Sequence, residues 1–99
     1  MAVATDIDTK TKIKTKRPAQ HVVILLNDDF TPMDFVMSVL VHYFSMNADD
    51  AYELMVNIHT NGQGIAGVFT KEIAEQKRED TVNAARKLGY PLQAITRPE

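Results

Sequence analysis

The chain has no cysteine among its 99 residues. That excludes disulfides, thiolate-ligated zinc and a cysteine nucleophile together, and it suits a reducing cytosol. No apolar run approaches the ~20 residues a membrane-spanning helix needs. No hydrophobic segment of the signal-peptide kind follows the basic residues near the start. A glycine-rich phosphate loop is missing, and so is a Ser or Thr on a glycine-flanked elbow, so nucleotide binding and serine-hydrolase chemistry lack their usual scaffolds. Charge of neither sign dominates. A net charge of −2 argues against a protein built to bind nucleic acid or a membrane. The expectation is a soluble cytoplasmic protein with no nucleic-acid and no membrane partner.

What is present is ordinary for one small globular domain: 44% hydrophobic and 24% charged residues, on a chain long enough for a single modest core. The charge is unevenly spread. Residues 1–18 carry five Lys or Arg against two Asp, a surplus of +3, while the remaining 81 carry six against eleven acids, or −5. The first stretch alternates Thr and Lys with few apolar residues, so it cannot bury enough surface to offset the entropy of ordering. It is expected to be a flexible N-terminal extension, with the folded domain spanning 19–99.

His21 to Leu26 is a short apolar run rich in β-branched residues, the pattern of a buried strand. Asn27-Asp28-Asp29-Phe30 follows, and then Thr31-Pro32-Met33-Asp34, which predicts a helix start. Thr31 would be the N-cap, Pro32 the first helical residue and Asp34 the capping-box acid. Phe35, Val36, Val39, Leu40 and Tyr43 repeat at helical spacing until Ser45. Asn47 is the expected cap of a second helix, with Asp49 and Asp50 near its positive end and a stripe of Ala51, Leu54, Met55 and Ile58. Asn61-Gly62-Gln63-Gly64 stops it. Ile65 to Thr70 predicts a second strand. Thr70 would cap a third helix running through Ile73, Val82, Ala85 and Leu88 to Gly89, and Leu92 to Thr96 is the last strand. Three strands cannot close a barrel. The order β-α-α-β-α-β therefore predicts an α+β fold in two layers, three helices on one face of a small three-stranded sheet.

Asn27, Asp28 and Asp29 stand between a strand and a helix, where Asn and Asp bond their own backbone in turns. Thr31 already supplies the cap, however, and one turn rarely needs three such residues in a row. His59 lies one residue from Ile58 and four from Met55, a position where a packed, hydrogen-bonded histidine is the ordinary outcome. His21 opens a strand and His42 sits within a helix. If the fold joins Asn27, Asp28 and His59, a metal site is one use, although calcium sites carry more carboxylates and zinc sites more histidines. A protonated amine suits them better. An amide oxygen, a carboxylate and a neutral imidazole nitrogen offer three acceptors to its three donors. An α-amino group, with a pKa of about 7.7–8.0, is largely charged at neutral pH. Beside an apolar pocket, such a trio would read a free chain terminus and its first side chain.

The strings LNDDFTPMDFVMSVL, HTNGQGIAGVFTKEIAEQK and YPLQ closely resemble the ClpS family, adaptors that bring N-degron substrates to the bacterial ClpA unfoldase and ClpP peptidase. The likeness spans residues 20 to 96. It implies an adaptor with no catalytic residues and no cofactor or metal, in which Asn27, Asp28 and His59 hold the substrate α-amino group. The pocket for a first residue of Leu, Phe, Tyr or Trp would be lined by Asp29, Thr31, Met33, Val36, Met55, Ile58 and Leu92. Met33 resembles the family's gate residue, whose bulk disfavours β-branched Ile and Val. Ile58 stands where relatives often have Val, and Ala66 where many have Cys. Glu72 and Lys77 match positions that face the ClpA N-terminal domain, and the extension, though short and different in sequence, stands where the family has a segment needed for delivery. Periodicity by itself places Met33, Val36 and Met55 in a core, and Glu72 and Lys77 on a solvated helix face.

Two other readings compete with this one. One is a metal-dependent hydrolase using Asn27, Asp28 and His59. The other is a ribosomal or general interaction module, since the layout also resembles the C-terminal domain of the ribosomal stalk protein.

Overall fold

In the computed structural model, which describes residues 19–99, the apolar run becomes the central strand of a three-stranded antiparallel sheet. The extension expected over residues 1–18 lies outside the described residues. From β1 (Gln20–Leu26) the chain passes through α1 (Met33–Phe44), α2 (Ala48–Asn61), β2 (Gln63–Thr70), α3 (Lys71–Lys87) and β3 (Gln93–Pro98). The spatial strand order is β2-β1-β3.

Central placement explains why β1 is apolar throughout and not alternating: Val22, Val23, Ile24 and Leu25 are all buried. Val23 and Leu25 belong to a single cluster with Val36, Val39 and Leu40 of α1, Ala51, Met55 and Ile58 of α2, and Ala74, Val82 and Ala85 of α3. All three helices reach that cluster, so they cover the same face of the sheet. Val22 and Ile24 stand outside it. Their ladder neighbours are Val68, Ile65 and Ile95, which remain partly exposed.

Pairing with β1 extends both edge strands beyond their expected bounds. β2 starts at Gln63, opposite Leu26, and β3 runs on to Pro98, opposite His21. The ladder passes from Val23↔Gly67 to Ile24↔Ile65, which leaves Ala66 as the extra residue of a bulge. Ala66 turns into the core cluster.

The start of α1 differs from expectation. Thr31 is not the cap. The helix begins at Met33, and Pro32 occupies the N-cap position in extended conformation (φ −63, ψ 143) with no side chain able to accept. Its carbonyl takes the amides of Phe35 at 3.1 Å and Val36 at 3.2 Å. Asp34 is then the second helical residue, one position too early for a capping box, and supports the helix only as a first-turn acid. The Thr31 hydroxyl is engaged elsewhere, by Asp28.

The two later helices divide on the same point. Asn47 caps α2 as expected, its side chain accepting the Asp50 amide at 2.8 Å. Thr70 precedes α3 but makes no side-chain cap bond. The expected α3 stripe is also displaced: Ile73 and Leu88 are 49% and 61% exposed, and the buried face is Ala74, Thr81, Val82 and Ala85. Small side chains let α3 lie close to the sheet. Thr81 can join them because its hydroxyl donates to the Lys77 carbonyl at 2.9 Å.

Candidate functional site

Leu26, the last residue of β1, pairs with Gln63 on one side and Gln93 on the other. Three chain segments therefore meet at this end of the sheet: the loop leaving β1, the end of α2 that feeds β2, and Leu92 just before β3. The first two are joined directly, because the Asn27 amide donates to the Gly62 carbonyl at 2.9 Å. Gly62 ends α2 in the left-handed region (φ 94), a conformation glycine adopts without strain, and its own amide donates to the Ile58 carbonyl at 2.9 Å.

Asp28 organises the loop. Its Oδ1 accepts the amides of Phe30 and Thr31, each at 2.7 Å, and its Oδ2 accepts the Thr31 hydroxyl at 2.7 Å. Partial desolvation pushes the carboxyl pKa up. The bonds from the Thr31 hydroxyl, the Thr31 amide and the Phe30 amide outweigh that, and the pKa falls below the ordinary 3.8. Asp28 is thus held ionised. Oδ1 is occupied by two donors, whereas Oδ2 holds one and keeps a lone pair for another.

These residues surround a cavity of about 260 Å³ lined by Asn27, Asp28, Asp29, Thr31, Met33, Val36, Met55, Ile58 and His59. Its polar side carries the expected amide, carboxylate and imidazole, and its apolar side is two methionines, a valine and an isoleucine. Leu92, also expected at the pocket, is buried in the core cluster beside Val36, Met55 and Ile58 and is not among the lining residues. Asn27 and His59 are exposed on the open side. Among the described residues no hydrogen bond engages the side chains of Asn27, Asp29 or His59, all of which line the cavity. No three His, Asp or Glu side chains converge as a metal site would require, again among the described residues. A larger hollow of about 800 Å³ lies between α1 and α3, lined by Phe35, Tyr43 and the last turns of α3. It is broader and more open, and its one carboxylate, Asp80, already accepts from Gln76 at 2.9 Å, so the smaller cavity is the better candidate.

Glu72 is exposed in the first turn of α3. Lys77 is half-buried and turned inward. Its Nζ donates to the Tyr43 carbonyl at 2.7 Å and lies 5.8 Å and 5.4 Å from the ring centres of Phe44 and Phe69. Sequence reading missed two contributors to the site. The Gly62 carbonyl anchors Asn27. Gly64 packs so closely that a Cβ there would lie 2.7 Å from Cγ1 of the lining residue Ile58. The glycines of Asn61-Gly62-Gln63-Gly64 were the visible signal, read only as a helix stop.

The chain is similar to known proteins. The family model for the ATP-dependent Clp protease adaptor protein ClpS matches residues 16–95. An ATP-dependent Clp protease adapter protein ClpS from Maricaulis maris is 44% identical over 95 residues, covering 96% of this chain and 87% of that protein. Another, from Roseobacter denitrificans, is 47% identical over 95 residues, covering 96% and 84%. Among solved structures, Agrobacterium tumefaciens ClpS2 bound to L-phenylalaninamide superposes with a TM-score of 0.81 at 37% identity, covering 84% of this chain and all of that one. With the family model matched over most of its length and full-length relatives at this identity, the chain belongs to the ClpS family of Clp protease adaptors, which are not enzymes.

Proposed function

We propose that the protein binds the free N-terminus of proteins that begin with Leu, Phe, Tyr or Trp and delivers them to the ClpA unfoldase of the ClpAP protease in the bacterial cytoplasm. The observation that carries this is the single cavity in which Asn27, Asp28 and His59 meet an apolar wall of Met33, Val36, Met55 and Ile58. The α-ammonium docks on the three acceptors and the first side chain enters between the methionines, with Asp29 and Thr31 at the rim. Leu92 supports the pocket from behind, through the core it shares with Val36 and Ile58. The Agrobacterium relative lends support, since L-phenylalaninamide offers a free amino group and an aromatic side chain.

A cavity of about 260 Å³ is below the ~300–1,000 Å³ of sites for drug-sized ligands, a size suited to one side chain and its amine. Burying Leu or Phe contributes roughly 1.5–3 kcal/mol, and charge-assisted hydrogen bonds about 1.5–3 kcal/mol each. Association costs at least ~4 kcal/mol in lost freedom. With three such bonds the net is at most about 8 kcal/mol, so affinity no tighter than the order of micromolar follows, weak enough to release cargo. Glu72 is the α3 residue offered to the ClpA N-terminal domain. Lys77 serves the same surface by fixing α3 against α1, and residues 1–18 act as the delivery segment.

Fluorescence anisotropy with peptides beginning Phe, Leu, Tyr or Trp tests the first step. Binding by the free peptides and none by their N-acetylated forms is expected, with affinity falling above about pH 8 as the amine loses its proton. Equal affinity for free and acetylated peptides overturns the proposal. Co-sedimentation with ClpA, weakened by Glu72→Ala, tests the second step.

A further inference from the structure

Phe30 is 79% exposed, the highest value among the large hydrophobic residues of the described chain. Single exposed apolar side chains are common on protein surfaces, but two features set this one apart. It stands between Asp29 and Thr31, both of which line the cavity, without lining it itself. Its backbone is also pinned, with the Phe30 and Thr31 amides both on Asp28 Oδ1 at 2.7 Å. The ring is therefore presented to solvent from the rim of the cavity by a fixed loop. Burying such a ring is favourable, and here that contribution is left available to a ligand.

We propose that Phe30 is the contact for the second residue of a bound N-terminal peptide and favours an apolar or flat side chain there. This deepens the reading of the cavity given above and rests on it. The cavity has room for one side chain and its amine, and the next Cα of a chain lies about 3.8 Å further on, so the second residue emerges at the rim. Successive side chains of an extended peptide point to opposite sides. With the first directed into the cavity, the second is directed out of it, where Phe30 is the aromatic surface on offer. Met33, 42% exposed in the first turn of α1, adds apolar area at the same edge. Phe30 is thus a specificity residue distinct from the acceptors that hold the amine.

The test is anisotropy with free-amine peptides that all begin with Phe and differ only in carrying Gly, Asp, Leu or Trp at position two. The wild type is expected to bind the Leu and Trp peptides roughly three- to tenfold more tightly than the Gly peptide, the range partial burial of one ring provides. In Phe30→Ala the ratio collapses to about one, and in Phe30→Tyr it is kept. A wild-type protein indifferent to position two overturns the inference, as does a Phe30→Ala protein that retains the ratio, whatever its absolute affinity. If none of the four peptides binds while acetylated and free controls behave alike, the reading of the cavity itself has failed and this inference fails with it.

Discussion

The backbone amide of Asn27 donates to the carbonyl of Gly62 at 2.9 Å, tying the loop after β1 to the residue that ends α2. Gly62 lies three residues beyond His59, and its own amide is held by Ile58. One glycine therefore sets the spacing between the amide, the imidazole and part of the apolar wall. The site is a junction of two secondary-structure ends, and its geometry depends on how those ends are fastened.

Gly62→Ala should loosen that fastening. A side chain in the left-handed region costs about 1–2 kcal/mol, and Gly62 sits at φ 94 with nothing near the would-be Cβ to relieve or worsen the strain. Urea denaturation should show a loss of that size. Affinity for a Phe-initiated peptide should fall with it, as Asn27 and His59 drift apart.

Gly64→Ala should act by crowding. Its Cβ would lie 2.7 Å from Ile58 Cγ1 and 3.0 Å from Leu54 Cδ1, so α2 must shift or Ile58 must turn toward the cavity. Overpacking of this kind costs about 1–3 kcal/mol. Peptides beginning with Trp should lose more affinity than those beginning with Leu, because the larger ring needs the volume that Ile58 would take. Anisotropy against both peptides measures the difference.

Asp28 links the fold of the loop to pH. Its pKa is depressed in the folded protein, so the unfolded chain takes up the proton first as pH falls. The stabilisation is complete above the ordinary carboxylate value of 3.8 and is lost as pH drops through the lower, folded value. Denaturation of wild type and Asp28→Asn from pH 6 to 2.5 should give curves separated by a constant amount above about pH 5 that converge below it. At neutral pH, Asp28→Asn should also abolish measurable peptide binding, since both the loop and the counter-charge are lost.

Lys77 and Glu72 should separate by what they change. Lys77→Met removes a charged donor from the Tyr43 carbonyl and from two ring faces. In this half-buried setting the loss should be about 1–2 kcal/mol of stability. Glu72→Ala, on an exposed helix turn, should stay within about 0.5 kcal/mol. Both should weaken co-sedimentation with ClpA, but only the Lys77 variant should melt earlier in a thermal scan.

Much of this molecule was legible along the chain. The apolar run of β1, the cap at Asn47 and the helical stripes of α1 and α2 are local patterns. The forces behind them act between residues a few positions apart, and these elements appear where the patterns place them. Asn27, Asp28 and His59 could be marked as acceptors for the same reason, as chemistry is carried by residue type. The start of α1 was not legible. Thr31 has good cap chemistry, yet its hydroxyl had two possible partners, the helix end and Asp28. Which of them wins depends on a loop conformation that no sequence window contains. Lys77 looked like a solvated charge because nothing in TKEIAEQK shows that the carbonyl of Tyr43, 34 residues away in the last turn of α1, accepts its ammonium.

The sequence by itself determined the elements, their order and the polar trio, because periodicity and capping are short-range. Tertiary structure decided that the trio lines one cavity. The antiparallel register sets Leu26 against both Gln63 and Gln93, so the ends of β1 and α2 arrive together with the core behind them. Asp28 can hold the turn and still offer an acceptor to the cavity because a carboxylate has more lone pairs than the turn consumes.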